Sequence, residues 1–162
     1  KAISLGVMSK SFGLPGLRLG WVAAQDADLV RRILAWKDYT TICTSAPAEY
    51  LSAIALRHKE TLIARNRAVM NENRVLLLDF FARHPDRFAC EMPLAGPVCY
   101  PRYLGNEGAA AFCDALIRET GVILLPSTVF GDGDGHIRFG FGRRDMAAAL
   151  GVLENYLVQK KP

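Results

Sequence analysis

The stretch from residue 8 to residue 21 constrains this fold more than any other, because it joins two apolar runs through a cluster of turn-forming residues. The preceding run, residues 2–8, and the following run, residues 19–24, have the length and apolar content of buried strands. Gly13 adopts positive φ angles at little steric cost, and Pro15 presets its own φ. The sequence therefore predicts that the chain doubles back between the two strands.

Two cations flank this turn. Lys10 and Arg18 are eight residues apart. That is roughly 26–29 Å in an extended chain, so one small ligand reaches both only if the chain reverses. An arginine binds a phosphate as a planar fork, whereas a lysine amine attacks carbonyl groups. A phosphate-bearing aldehyde would use both, and pyridoxal 5'-phosphate is such a molecule. The alternative is a glycine-rich turn with two solvated cations.

The run from Ser9 to Trp21, SKSFGLPGLRLGW, closely resembles the lysine segment of the class I/II aminotransferases, which are fold-type I pyridoxal-phosphate enzymes. The resemblance implies that Lys10 forms the Schiff base with the cofactor and that Arg18 holds its phosphate. The strict family pattern has Gly or Ser three residues before the lysine, where this chain has Val7. That departure leaves Ser9 as the nearer hydroxyl for the phosphate.

A second candidate site lies near the end of the chain, where a glycine-rich loop at residues 131–135 leads into a predicted strand at residues 136–141. Because side chains alternate along a strand, Arg138 points to the opposite face from Ile137 and Phe139. The resemblance implies that Arg138 binds the substrate α-carboxylate. Taken alone, Arg138 would be an exposed or salt-bridged strand residue.

The other polar patterns predict neither a metal site nor a nucleic-acid partner. Asp132 and Asp134 lack the twelve-residue loop and terminal Glu of a calcium site, so we interpret them as turn residues. The formal charge is +4, but the cations alternate with acids instead of forming a block. The cysteines predict buried, reduced thiols, and the histidines are isolated from other metal ligands. These residues are Cys43, Cys90, Cys99, Cys113, His58, His84 and His136.

The composition, 51% hydrophobic and 22% charged over 162 residues, is typical of a globular chain. No apolar run approaches the ~20 residues of a membrane span, and there is no signal-peptide pattern, so the default location is the cytoplasm. The chain starts with Lys1 inside an apolar run, as a fragment would. The resemblance implies the C-terminal half of a longer enzyme, inactive when isolated.

Hydrophobic periodicity predicts the remaining elements. A helix begins at Asp26 and ends near Tyr39. Pro47, with Ser45 as a possible cap, precedes residues 48–83, which contain no Pro or Gly and form one long helix or two with a break. The elements that follow are strands 87–91 and 98–104, helix 107–119, strands 122–125 and 136–141, and a final helix capped by Asp145.

The resemblance completes the predicted α/β fold: the C-terminal part of a large, mainly parallel α/β domain, a long connecting helix, and a small α+β domain. Residues 1–60 belong to the cofactor-binding domain and residues 61–162 to the helix and small domain. The implied activity is amino transfer between an amino acid and a 2-oxo acid, by a homodimer. A lyase, a decarboxylase, an acyl-transferring synthase and a non-catalytic fragment stay open as alternatives.

Overall fold

A computed structural model describes residues 2–160, which form a mixed α/β structure. The helices are α1 (Ala27–Thr40), α2 (Ala46–Arg57), α3 (Lys59–Arg83), α4 (Ala109–Thr120) and α5 (Met146–Gln159). The strands are β1 (Ile3–Val7), β2 (Gly20–Ala24), β3 (Phe88–Ala89), β4 (Val98–Cys99), β5 (Arg102–Tyr103), β6 (Leu125–Pro126) and β7 (Ile137–Gly140). Short 3₁₀ helices span Pro15–Leu17 and Ser127–Phe130.

The chain divides into two compact units, and the division falls inside helix α3. The first unit ends at Arg67 and the second begins at Ala68. Strands β1 and β2 belong to the first unit, and strands β3 to β7 to the second. One uninterrupted helix is therefore shared by both units.

In the first unit, β1 and β2 form an antiparallel pair that ends with Val7 opposite Gly20. Both predicted strands are confirmed, as is the predicted reversal. Their predicted burial is wrong, since Ile3 is 59% and Leu5 74% exposed. The reason is that this sheet has two strands among the described residues, which leaves little to cover its faces.

Helices α1 and α2 begin where the sequence predicts. Asp26 caps α1, because its Oδ1 accepts hydrogen bonds from the N–H groups of Asp28 and Leu29, both at 3.1 Å. This satisfies two backbone donors that have no partner within the helix. Ser45 occupies the N-cap position of α2 and Pro47 its first turn, but the Ser45 side chain makes no capping bond. Ser45 is therefore the cap residue, as predicted, but it caps the helix by position and without a side-chain hydrogen bond.

The long predicted helical stretch forms two helices with a break at His58. The His58 N–H donates to the carbonyl of Ala55 at 3.1 Å and of Ile54 at 3.3 Å, so the last turn of α2 tightens there. The His58 φ of −107° then ends the helix, and α3 starts at Lys59. No Pro or Gly marks this position, which is why the sequence left both possibilities open.

The second unit is built around an aromatic core. The ring centroid of Phe88 lies 5.7 Å from those of Phe80, Tyr103 and Phe139, and none of these four side chains is more than 5% exposed. Full burial of a large apolar side chain stabilises a fold by about 1.5–3 kcal/mol. The cluster therefore fixes the short strands against the second half of α3.

Two predicted strands of the second unit differ from the structure. Residues 98–104 form β4, which pairs with β7, and β5, which pairs with β3. Pro101 separates them because it is buried and has no N–H to donate to a ladder. Residues 122–125 contribute only their last residue to β6. The Val122 N–H donates to Thr120 Oγ1 at 3.1 Å. Because Thr120 is the last residue of α4, this bond belongs to the end of that helix and not to a strand ladder.

Every strand pair among residues 2–160 is antiparallel. In the three-stranded sheet the order is β4-β7-β6, so β7 is the central strand. The described strands therefore contain none of the parallel pairing expected for the sheet of the large domain. What they do provide is a hairpin in the first unit and two small sheets in the second.

The predicted cap of α5 makes a different contact. Asp145 stands at the N-cap position, but its carboxylate accepts two hydrogen bonds from the Arg143 guanidinium, at 3.0 and 2.9 Å. This bidentate pair lowers the pKa of the Asp145 carboxyl and competes with capping. The predicted capping bond is wrong, although the predicted helix start is confirmed.

The four cysteines are free thiols, but they differ in burial. Cys99 and Cys113 are buried, Cys90 is half-buried and Cys43 is exposed, so the predicted burial is wrong for Cys43. That residue lies in the short loop between α1 and α2, where no described element covers it. Among residues 2–160, no helix combines the length and the apolar character that crossing a membrane requires.

Candidate functional site

The end of the β1–β2 hairpin holds the first candidate site. Beyond the pair of Val7 and Gly20, the Met8 N–H donates to the Leu19 carbonyl at 3.0 Å, which extends the ladder by one residue. The chain continues from Met8 into Ser9 and Lys10 and returns through Arg18 immediately before Leu19. The reversal therefore brings the lysine segment and Arg18 to the same end of one hairpin.

Backbone hydrogen bonds shape the lysine segment into a compact loop. The Gly13 N–H donates to the Lys10 carbonyl at 3.1 Å, and the Leu14 N–H donates to the Met8 carbonyl at 3.0 Å. Gly13 has a φ of +65°, a conformation that favours glycine, as its position in the turn predicts. The Lys10 side chain is exposed and has no protein partner among the described residues.

Arg18 adopts an unusual backbone conformation. Its φ of +52° lies in the left-handed region, which costs a non-glycine residue about 1–2 kcal/mol. Its Nη1 donates to the Pro15 carbonyl at 2.8 Å, and its side chain is otherwise exposed and without a described partner. The remaining guanidinium N–H groups are thus available to an anion, which is the condition that phosphate binding requires.

A side chain that sequence reasoning missed also contacts this loop. Asn66, on α3 but still within the first unit, donates from Nδ2 to the Ser11 carbonyl at 3.1 Å. The two residues are 55 positions apart, and an asparagine in a helix carries no local signal of such a contact. The lysine loop is therefore attached to a helix as well as to its own hairpin.

Arg138, the other predicted site residue, lies in the second unit on the central strand β7. Its neighbours Ile137 and Phe139 are fully buried, at 0% and 1% exposure, whereas Arg138 is half-buried on the opposite face. The predicted alternation is therefore confirmed. Within residues 2–160, the Arg138 side chain makes no hydrogen bond or ion pair, so the predicted alternative of a salt-bridged strand residue has no support among these residues.

Aromatic side chains lie beside Arg138. His136 immediately precedes β7 and lies two residues before Arg138, which places both side chains on the same face. Its ring is stacked on Tyr100, with ring centroids 5.0 Å apart and an interplanar angle of 9°. The Tyr100 hydroxyl donates to Asp132 Oδ2 at 3.2 Å. Partial desolvation, followed by this bond, raises the pKa of Tyr100 above its ordinary value. This face of the sheet thus combines an unpaired guanidinium with two stacked aromatic rings.

The aspartates of the glycine-rich loop have structural partners. Asp134 Oδ1 accepts a hydrogen bond from the Ala110 N–H at 2.6 Å, so it caps helix α4 from 24 residues away. The N-cap residue itself, Gly108, has a φ of +82° and makes no side-chain capping bond. The helix begins at Ala109, two residues after the predicted start at Glu107. Across residues 2–160, no three His, Cys, Asp or Glu side chains form a cluster suited to a metal ion.

Comparisons with known proteins place these sites in context. The family described as "Aminotransferase class I and II" matches residues 1–151. Capreomycidine synthase of Streptomyces vinaceus is 33% identical over 159 residues, which cover 97% of this chain and 40% of that enzyme. The chain therefore spans less than half the length of this relative.

Solved structures agree with this match. A PLP-dependent aminotransferase from Streptococcus suis 89-1591 superimposes with a TM-score of 0.90 and 28% identity, over 99% of this chain and 42% of that one. The PLP-dependent cyclase OrfR gives a TM-score of 0.88 and 31% identity, over 98% of this chain and 44% of that one. The fold is that of fold-type I aminotransferases, as predicted.

Proposed function

We propose that this chain, which belongs to the class I and II aminotransferase family, carries the cofactor lysine and the carboxylate-binding arginine of a pyridoxal-phosphate-dependent aminotransferase. The observation that carries the proposal is the reversal between β1 and β2, with Lys10 and Arg18 at the same end of one hairpin. The reaction would transfer an amino group between an amino acid and a 2-oxo acid. Residues 1–60 would belong to the cofactor-binding domain and residues 61–162 to the connecting helix and small domain.

The donor set at the hairpin end fits pyridoxal phosphate. Lys10 would hold the cofactor through its amino group, and the free guanidinium N–H groups of Arg18 would bind the phosphate, with the Ser9 hydroxyl as a neutral donor. When bound, the cofactor supplies an electron sink for the charge that develops at the substrate Cα. Lys10 would move a proton at that carbon as a general base and acid.

Arg138 would bind the substrate carboxylate. A half-buried arginine whose guanidinium has no described partner is a site for an anion from elsewhere, and the two oxygens of a carboxylate match its planar fork. Every amino acid and every 2-oxo acid carries that group. The role would therefore be common to both substrates of the reaction.

Borohydride reduction tests the assignment of Lys10 in the full-length enzyme that contains this chain. We expect the reduced cofactor adduct on Lys10 by peptide mapping, and no adduct in Lys10→Ala. The matched control is Lys59→Ala, which removes another exposed lysine and should retain the adduct. An adduct on a different lysine would overturn the proposal.

A second candidate is a synthase or cyclase reaction on the same cofactor. Its support is the 33% identity to capreomycidine synthase and the 31% identity to a PLP-dependent cyclase. Product analysis separates the two candidates. A transaminase converts the amino donor into a 2-oxo acid, whereas a synthase or cyclase leaves no equivalent of 2-oxo acid.

The assembly and location are further parts of the proposal. Aminotransferases are commonly dimers, and we propose a homodimer that acts in the cytoplasm. Sedimentation of the full-length enzyme tests the dimer, and cell fractionation tests the location. The 162-residue chain alone is predicted to be inactive, which an assay of the isolated chain with its cofactor would check.

A further inference from the structure

We propose that Asn66 is a positioning residue for Lys10, acting through the Ser11 carbonyl. The inference rests on the proposed role of Lys10 as the cofactor lysine. Asn66 itself contacts neither cofactor nor substrate in this proposal. Its effect would come from holding the loop from which the lysine side chain extends.

The first observation is the hydrogen bond between Asn66 Nδ2 and the Ser11 carbonyl, 3.1 Å long. Ser11 directly follows Lys10, and the Lys10 carbonyl is already held by the Gly13 N–H at 3.1 Å. Two successive carbonyls of the loop are therefore fixed, one by the loop itself and one by Asn66. Among the described residues, no other side chain from outside the hairpin makes a hydrogen bond to the loop.

The second observation is the close approach of Gly13 to the same amide. A Cβ atom built on Gly13 would lie 2.9 Å from Asn66 Nδ2 and 3.1 Å from its Oδ1. The loop backbone thus packs directly on the Asn66 side chain as well as bonding to it. A bond and a steric contact at two points of one loop restrict its orientation more than either would alone.

The third observation is the orientation of the amide. Arg65 Nη2 and Nε lie 3.3 and 3.4 Å from Asn66 Oδ1, so a donor faces the oxygen while the NH₂ group faces the Ser11 carbonyl. Helix α3, which carries both residues, is 25 residues long. The Asn66 amide therefore projects toward the lysine loop from a long, regular helix.

The consequence for function follows from geometry. Lys10 is exposed and has no described partner, so the loop backbone alone decides where its flexible stem begins. A displacement of about 1 Å at a reacting group costs up to roughly 10²-fold in rate. Loss of one neutral hydrogen bond should allow a smaller shift. We expect kcat to fall about 3- to 10-fold with KM for the amino donor unchanged.

The test uses the full-length holoenzyme with three substitutions at this position. Asn66→Ala removes the donor, the nearly isosteric Asn66→Asp places an acceptor against the Ser11 carbonyl, and Asn66→Gln retains an amide that can restore the bond. Asn71→Ala is the matched control, because Asn71 is an exposed asparagine on the same helix. Thermal unfolding of each variant shows whether it is folded.

The decisive readout is the pH titration of the visible absorbance of the lysine–cofactor bond. We expect its midpoint to move by about 0.4 pH unit or more in Asn66→Ala and Asn66→Asp, with partial recovery in Asn66→Gln and no change in Asn71→Ala. A titration and kcat unchanged in both Asn66→Ala and Asn66→Asp would overturn the inference. So would equal losses in Asn66→Ala and Asn66→Gln. Borohydride mapping of the same samples reports on the role of Lys10 separately, since an adduct on another lysine refutes the proposed function instead.

Discussion

Asn73 donates a hydrogen bond of 2.9 Å from its side-chain amide to the backbone carbonyl of Phe141. The same Nδ2 lies 2.6 Å from the Arg143 carbonyl, and Asn73 is only 5% exposed. Both carbonyls follow strand β7, which carries Arg138. The buried Asn73 amide on α3 thus holds, through hydrogen bonds, the segment that follows the central strand β7.

We expect Asn73→Ala to lower the free energy of unfolding by about 2–3 kcal/mol, because it leaves the carbonyls of Phe141, a buried residue, and of Arg143 without their donor. Chemical denaturation of the full-length enzyme measures the change. The matched control, Asn71→Ala, alters an exposed position of the same helix and should change the free energy by less than about 0.5 kcal/mol. Equal effects of the two substitutions would contradict the importance of the buried bonds.

Arg138→Lys should lower kcat/KM for every amino donor, because it keeps the charge but loses the bidentate fork. The expected loss of transition-state stabilisation is about 2–4 kcal/mol. Cofactor affinity should hardly change, since Lys10 and Arg18 hold the cofactor in the proposal. Steady-state kinetics with several donors and a cofactor titration test both statements. Arg102→Lys, at an exposed strand position, is the control. Loss of cofactor in Arg138→Lys would instead assign Arg138 to the phosphate site.

Gly13→Ala should destabilise the lysine loop for two separable reasons. The φ of +65° costs an alanine about 1–2 kcal/mol, and its Cβ would lie 2.9 Å from Asn66 Nδ2. The double variant with Asn66→Ala removes the steric part, so it should lose less stability than the sum of the two single variants. Gly16→Ala is the control, because that glycine has open space around it and no positive φ. Denaturation midpoints that were additive across the double variant would exclude the steric contact.

The thiols should differ in reactivity with a maleimide under native conditions. Burial, with a smaller contribution from Asp134, raises the pKa of Cys113 to about 12. Since the thiolate is the nucleophile, a raised pKa means less thiolate and slower labelling at neutral pH, with labelling accelerating only as pH approaches that value. Cys43 is exposed and should label first. Mass spectrometry of partially labelled protein gives the order, and early labelling of Cys113 would contradict it.

Much of this protein could be predicted from the sequence because the deciding interactions are local. Gly13 and Pro15 set the reversal within a few residues, and Asp26 caps α1 through N–H groups two and three positions ahead. The alternation that separates Arg138 from Ile137 is a property of any strand. The order of the elements therefore followed from short-range chemistry, whereas the roles predicted for Lys10, Arg18 and Arg138 rested on the resemblance to the class I/II aminotransferases.

The tertiary structure decided what depends on distant partners. The Asp145 carboxylate can cap its helix or pair with Arg143, and only the folded geometry selects the pair. Asp134 caps a helix that begins 25 positions earlier in the chain, at Ala109.

The Asn66 amide meets a carbonyl 55 positions away, at Ser11. The sequence by itself determined which residues could form the loop that carries Lys10. What holds that loop was decided only by folding, because a hydrogen bond between distant segments leaves no periodic or local pattern in the chain.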